Sequence, residues 1–72
     1  MTVKFNYFHK GNIKVTNVKH VNVDTTNSVV SMDVYDNYAI SADIIENPEQ
    51  YNSSVHSGHL LFHYADNVDV RY

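Results

Sequence analysis

The feature that most constrains this chain is a repeated alternation of apolar and polar residues over short runs. Side chains two residues apart lie on the same face of a β-strand, so each run predicts a strand with one buried face. The 11 Val and six Tyr residues favour the same structure, because β-branched and aromatic side chains suit strands. The clearest runs are Val3, Phe5 and Tyr7, and later Val30, Met32 and Val34.

Turn chemistry separates the first two predicted strands. Residues 10–12, Lys-Gly-Asn, include two residues that adopt positive φ readily, and a three-residue loop there places Tyr7 opposite Val15. Residues 12–23 then predict one long strand, or two short ones, whose apolar alternation breaks in the middle. A bend or bulge near 16–19 accounts for the break. The residues that interrupt the pattern are Asn17, Val18 and Lys19.

The middle of the chain predicts a second hairpin. A turn at residues 24–28 precedes this hairpin, and the residues on each side of Asp36-Asn37 alternate between apolar and polar. A three-residue loop at that dipeptide pairs Met32 with Ile40 or Ala42 and keeps one face of the hairpin apolar. The β-prone window 29–34 would invite self-association if its edge were unpaired.

The last third of the chain begins with a helix-start pattern. Asn47 and Pro48 are typical of an N-cap and a first helical position, which predicts a short helical turn near 48–53. Two alternating strands follow, separated by a turn at 65–67. The alternative is one helix over 48–64, which Gly58 and the Ser and Asn residues of that segment disfavour. The whole chain, 1–72, is therefore interpreted as a single small domain: a mainly β antiparallel sheet, sandwich or partly open barrel of five to six short strands.

The composition excludes several function classes. Five Lys and Arg residues against eight Asp and Glu give a net charge of −3, which disfavours a nucleic acid as the main ligand. No run of about 18 apolar residues is present, so no membrane-spanning segment is predicted. The N-terminal residues lack the apolar core of a signal peptide, so we expect a cytoplasmic protein. With no Cys, neither disulfides nor Cys-based zinc sites can form.

Three of the five histidines lie within eight residues, at His56, His59 and His63. Neutral imidazole is a common ligand of zinc and related metals, so a divalent-metal site is one hypothesis. On a helix these spacings would put all three on one face. On a strand only His59 and His63 share a face, about 13 Å apart at roughly 3.3 Å per residue. The alternative is that they are polar residues on a solvated loop and strand, and no cofactor is otherwise predicted.

The tyrosines point to protein contacts, since tyrosine buries a large area while keeping a polar tip. A candidate partner-binding patch flanks the predicted turn between the third and fourth strands: Tyr35, Asp36, Asn37 and Tyr38. The alternative is that these tyrosines cap the end of a barrel. No Gly-x-Ser-x-Gly motif accompanies the serines near His56, and so short a chain has little room for a catalytic apparatus, so a non-enzymatic function is expected.

The leading hypothesis is a small protein–protein binding or assembly module, and the thin core predicts a homo-oligomer. An acidic surface suits a basic partner, for example a nucleic-acid-binding host protein. Residues with A/T-rich codons (Phe, Tyr, Met, Ile, Asn, Lys) number 28, against seven with G/C-rich codons (Gly, Ala, Arg, Pro). That bias indicates a low-G+C bacterial source, and an accessory or inhibitor protein of a phage or mobile element would fit it. The runner-up is the His-based metal-binding protein.

Overall fold

A computed structural model describes residues 1–72 and contains one antiparallel five-stranded sheet. The only helix is a 3-10 helix at Pro48–Tyr51, and no helix is long and apolar enough to cross a membrane. The mainly β antiparallel prediction and the short helical turn near 48–53 are confirmed, whereas a single helix over 48–64 is wrong. The strands, arranged in the order β4-β3-β2-β1-β5, are β1 (Thr2–Tyr7), β2 (Gly11–Asp24), β3 (Val29–Ala42), β4 (His59–Phe62) and β5 (Ala65–Arg71).

The two longest strands, β2 and β3, bend sharply. Each has 14 residues and would span about 46 Å if straight, yet the longest dimension of the molecule is 28 Å. The bend lies at Asn17, whose φ of 60° is in the left-handed region that asparagine tolerates. Thr16 pairs with Ala39 but Val18 pairs with Val34, so four residues of β3 lie opposite Asn17. We call residues 35–38 the Tyr35–Tyr38 bulge; the bend predicted near 16–19 is confirmed.

The hairpin predicted at Asp36-Asn37 is wrong. Met32 pairs with Val21 and Ile40 pairs with Val15, so both halves of β3 lie against β2 rather than against each other. The physical reason is that β2 is long enough to provide a partner for each half. The polar dipeptide therefore forms a bulge within one strand instead of a turn between two.

A second bulge in β2 explains why Val18 is buried although simple alternation places it on the outer face. Val18 pairs with Val34 and His20 pairs with Asp33, which leaves Lys19 as an extra residue. The bulges at Asn17 and Lys19 together turn Val18 inward and then restore the alternation. The bent sheet encloses a core of 11 buried apolar residues: Val3, Phe5, Ile13, Val15, Val18, Val30, Met32, Val34, Leu60, Phe62 and Ala65.

The first hairpin has a three-residue loop, as predicted, but the loop is residues 8–10 rather than 10–12. Phe5 therefore pairs with Ile13, and Tyr7 pairs with Gly11 instead of Val15. The left-handed φ angles that the loop requires are adopted by Phe8 and His9, at 50° and 56°. Because the slip is an even number of residues, the same side chains still face the core.

The turn predicted at 65–67 is also displaced. The chain turns at His63-Tyr64, and Ala65 already pairs with Tyr7 as the first residue of β5. Asn67, with φ of 52°, instead lies at an irregularity in the pairing of β5 with β1. Asparagine thus serves a bulge here, as it does at Asn17.

Candidate functional site

The predicted partner-binding residues all lie in the Tyr35–Tyr38 bulge, at the corner of the bent sheet. Tyr35 and Tyr38 are 50% and 41% exposed. The side-chain amide of Asn17 donates a hydrogen bond to the backbone carbonyl of Asn37 at 3.0 Å. The residue that bends β2 therefore also holds the bulge that the bend creates.

The Tyr35 ring has a cation beside it. The Nζ atom of Lys19 lies 5.0 Å from the ring centroid, within cation–π range. Lys19 is itself the extra residue of the second β2 bulge. The irregular part of β2 thus supplies both contacts to the bulge: Asn17 binds its backbone, and Lys19 lies over one of its rings.

A cleft of about 320 Å³ separates the bulge from the loop before β4. The backbone N–H of Val34 donates to the carbonyl of Gly58 at 2.9 Å and ties the two sides together. Gly58 has φ of 75°, which glycine adopts without strain. The exposed lining is Tyr35, Asp36 and Tyr38 on the bulge and His56, Ser57 and Gly58 on the loop; Val34, Asn52, His59 and Leu60 complete it.

Asn52 organises the loop side of the cleft. Its Oδ1 accepts hydrogen bonds from the backbone N–H groups of Leu61, at 2.8 Å, and Ser54, at 3.1 Å. One side chain therefore fixes the loop to the outer edge of β4. Sequence reasoning missed this role, although Asn before two serines is a common start of a turn stabilised by its own side chain.

His59 pairs with Asp33 across β3 and β4. Its Nδ1 lies 2.8 Å from Asp33 Oδ1, and the two residues are register partners in the sheet. This hydrogen bond is the main cause that lowers the pKa of Asp33 below its ordinary 3.8; partial desolvation opposes it, and the charges of His59, His20 and Lys19 add to it. His59 is thereby held at the border of the cleft in a fixed orientation.

The three clustered histidines do not converge. His56 and His59 both line the cleft, whereas His63 lies beyond the end of β4 and is exposed. No three His, Asp or Glu side chains lie close enough together to hold a metal ion. The extended backbone explains this, because it separates His59 from His63, four residues further on. The carboxylate beside His59 is that of Asp33 alone.

Comparison with protein-family models, curated proteins and solved structures finds no match to this chain. The functional argument therefore depends on the geometry of the bulge and the cleft.

Proposed function

We propose that this protein is a small non-enzymatic binding module that contacts another protein through the Tyr35–Tyr38 bulge and the adjacent cleft. The observation that carries the proposal is the four-residue bulge opposite Asn17, which holds two half-exposed tyrosines away from the core. Neither tyrosine ring packs against another aromatic ring. The Tyr38 ring, and the part of the Tyr35 ring that Lys19 does not cover, are thus free to bury their surface against a partner.

Tyrosine at this position suits recognition. It offers a large rigid surface with few rotatable bonds, and it is enriched among residues that dominate binding energy. The cleft beside the rings, about 320 Å³, has room for one or two side chains of a partner. The proposed contact is therefore a pair of rings flanking an inserted side chain.

Charge favours a basic partner. Asp36 lies in the cleft wall, and the chain carries a net charge of −3. A Lys or Arg side chain inserted beside Asp36 would gain both a carboxylate and the faces of two tyrosine rings. Complementary charge also accelerates encounter. The partner class that we propose is a basic, nucleic-acid-binding host protein. We propose that the two proteins meet in the cytoplasm.

The proposed source is a low-G+C bacterium, its phage or a mobile element, for which the codon bias is the support. An accessory or inhibitor protein of such an element needs a stable surface and no catalytic apparatus. Seventy-two residues with one built contact surface meet that requirement.

The test is affinity capture from cells of the organism that encodes the protein, followed by titration of the captured protein. The Y35A/Y38A double variant is expected to weaken binding about tenfold or more, since central interface tyrosines each contribute more than about 1 kcal/mol. Tyr72→Ala is the matched control, because Tyr72 is 98% exposed and lies outside the cleft. Equal affinity of the double variant and the control would refute the proposal.

A further inference from the structure

The second half of β2 has an edge that no other strand covers. The N-terminal end of β1 reaches only as far as Val18. There the Met1 amino group donates to the Val18 carbonyl and the Val18 N–H donates to the Met1 carbonyl, both at 2.9 Å. Beyond that point, residues 20–24 pair with β3 on one side only. The β3 window 29–34, which would invite self-association if its edge were unpaired, lies between β2 and β4.

Three hydrogen bonds establish which backbone groups of this edge are free. Val34 donates its N–H to Gly58, and Leu61 exchanges its backbone bonds with Asn52 and Ser53, so Val34 points away from β2 and Leu61 away from β3. Backbone groups alternate sides along an antiparallel ladder. The residues of β3 that face β2 are therefore Val29, Ser31 and Asp33.

The backbone N–H and C=O groups of their register partners on β2 point toward β3. Those of the residues between the partners point outward. The partners are His20, Asn22 and Asp24. Consequently the N–H and C=O groups of Val21 and Val23 face the open edge. No hydrogen bond outside the sheet ladders occupies these groups.

The side chains of the two outward-pointing residues, Val21 and Val23, offer no protection against pairing. Val21 and Val23 lie on the core side, and Val23 is 39% exposed. Proteins commonly protect sheet edges with charges, bulges or a covering segment. The outer edge of β4 is covered by Asn52 and Ser53, and β5 carries both an irregularity and charged residues.

We propose that a second copy of this chain pairs antiparallel along residues 20–24, with Val21 opposite the partner subunit's Val23. The outward-pointing residues then face each other, and each such pair exchanges both N–H···O=C bonds. The two-fold axis passes beside Asn22, so one five-residue sequence, His-Val-Asn-Val-Asp, supplies both sides of the interface.

The side chains of His20 and Asp24, which can hydrogen-bond to each other, select this register and this partner. His20 lies opposite the partner subunit's Asp24, and the reciprocal contact repeats across the axis. A shift of two residues loses both His–Asp contacts. Asp24 keeps capacity to accept, since its Oδ2 takes a single hydrogen bond, from the Asn27 side chain. Its pKa is lowered, chiefly by that bond, which keeps the carboxylate ionised. The edge is thus complementary to itself in its His–Asp pairs and in its backbone hydrogen-bonding groups.

Residues 39–42 of β3 also lack a neighbouring strand on their outer side. Asp43 donates its N–H to Asn12, so by alternation the backbone groups of Ile40 and Ala42 point outward there. An antiparallel copy at this edge would align no opposite charges. It therefore serves as the matched control for the proposed one.

The test is sedimentation equilibrium of the full chain, with circular dichroism to verify folding of each variant. The wild type is expected to dimerise, weakly because the interface is small. His20→Glu places a carboxylate opposite Asp24 and is expected to raise the dimer dissociation constant about tenfold or more, whereas His20→Lys retains dimerisation. His20 is exposed, so neither change removes a core contact.

Proline tests the backbone contacts separately. Val23→Pro removes an outward N–H without removing a bond to β3, and it is expected to abolish the dimer. Ala42→Pro likewise removes an outward N–H at the 39–42 edge, and the dimer is expected to remain intact. The proposal is overturned by a wild type that stays monomeric at about 1 mM. It is equally overturned by a dimer that tolerates His20→Glu, or by one that only Ala42→Pro dissociates.

Discussion

The molecule carries two groups of exposed aromatic side chains that differ in what they touch. Phe8 and Tyr64 are 50% and 56% exposed, much like Tyr35 and Tyr38. Their rings, however, pack edge to face with centroids 5.0 Å apart. The Tyr35–Tyr38 bulge has no such internal partner. Exposure alone therefore does not identify a contact surface, since an exposed ring can already be packed against another ring of the same chain.

The backbone explains the difference. Phe8 donates its N–H to the Tyr64 carbonyl at 2.9 Å, so the β1–β2 loop is joined to the β4–β5 connection. Beside them, Tyr7 packs on Tyr51 of the 3-10 helix with centroids 4.6 Å apart. We call Tyr7, Phe8, Tyr51 and Tyr64 the packed aromatic group. Its rings hold distant segments together, whereas the bulge rings hold none.

The largest effect is expected in the packed aromatic group. Tyr7→Ala should lower the free energy of unfolding by about 2 kcal/mol, from lost apolar burial and a lost aromatic pair. Tyr7→Phe retains the ring and is the control. Urea denaturation measures both. A loss below about 0.5 kcal/mol for Tyr7→Ala would mean that this group is no better packed than the bulge.

The next effect is expected at the corner that creates the bulge. Asn17→Ala should cost about 1.5 kcal/mol, because alanine is strained at a left-handed φ and cannot donate to Asn37. Asn17→Gly removes the bond but relieves the strain, so its cost should be about half as large. Denaturation midpoints compare the two. Equal losses would show that backbone conformation is not what asparagine provides here.

A smaller effect is expected from acid. The pKa of Asp43 lies below its ordinary 3.8, chiefly because the backbone N–H of Asn12 donates to the carboxylate. A lowered folded pKa stabilises the fold above the unfolded value, and this stabilisation is lost as pH falls through the folded pKa. The unfolding free energy should therefore decline below about pH 4.

Substitution identifies the source of that decline. Asp43→Asn should flatten the loss of stability at low pH, and so should Asp33→Asn, which removes the carboxylate paired with His59. Asp36→Asn, in the exposed bulge, is the control. Chemical denaturation across pH 2.5–6 (an interval chosen to span the ordinary carboxyl range) gives the curves. Parallel curves for Asp43→Asn and Asp36→Asn would contradict the assignment.

The smallest effect is expected in the bulge itself. Tyr35→Ala and Tyr38→Ala should each change the unfolding free energy by less than about 0.5 kcal/mol, as for surface positions that hold no other element in place. The same urea series that includes Tyr7→Ala measures them. Losses as large as that of Tyr7→Ala would assign these rings a structural role and weaken the proposed contact surface.

Much of the fold was predictable from alternation, because a period of two assigns faces without knowledge of the partner strand. The core residues Val3, Phe5, Val30 and Met32 follow directly from it. The errors occur where the backbone leaves the regular period. Val18 is buried because Asn17 and Lys19 add irregular residues, and a local pattern does not reveal how many residues the opposite strand inserts.

The sequence predicts individual residues of the candidate site but not which of them lie close together. Tyr35 and Tyr38 were identified as exposed aromatic residues, and both are exposed. Their location beside His56 depends on the pairing of β3 with β4, which joins Asp33 to His59 across 26 positions of sequence. Such long-range register is set by packing of the whole core and leaves no mark on either segment alone.

The strand order has a consequence for a growing polypeptide. β5 pairs with β1, and Thr2 lies opposite Arg71, so the earliest of the five strands in chain order receives its second neighbour last. Until residues 65–71 emerge, the β1–β2 hairpin carries an unpaired side, and the core lacks the contribution of Ala65. Nascent chains therefore need shielding from one another until β5 has emerged.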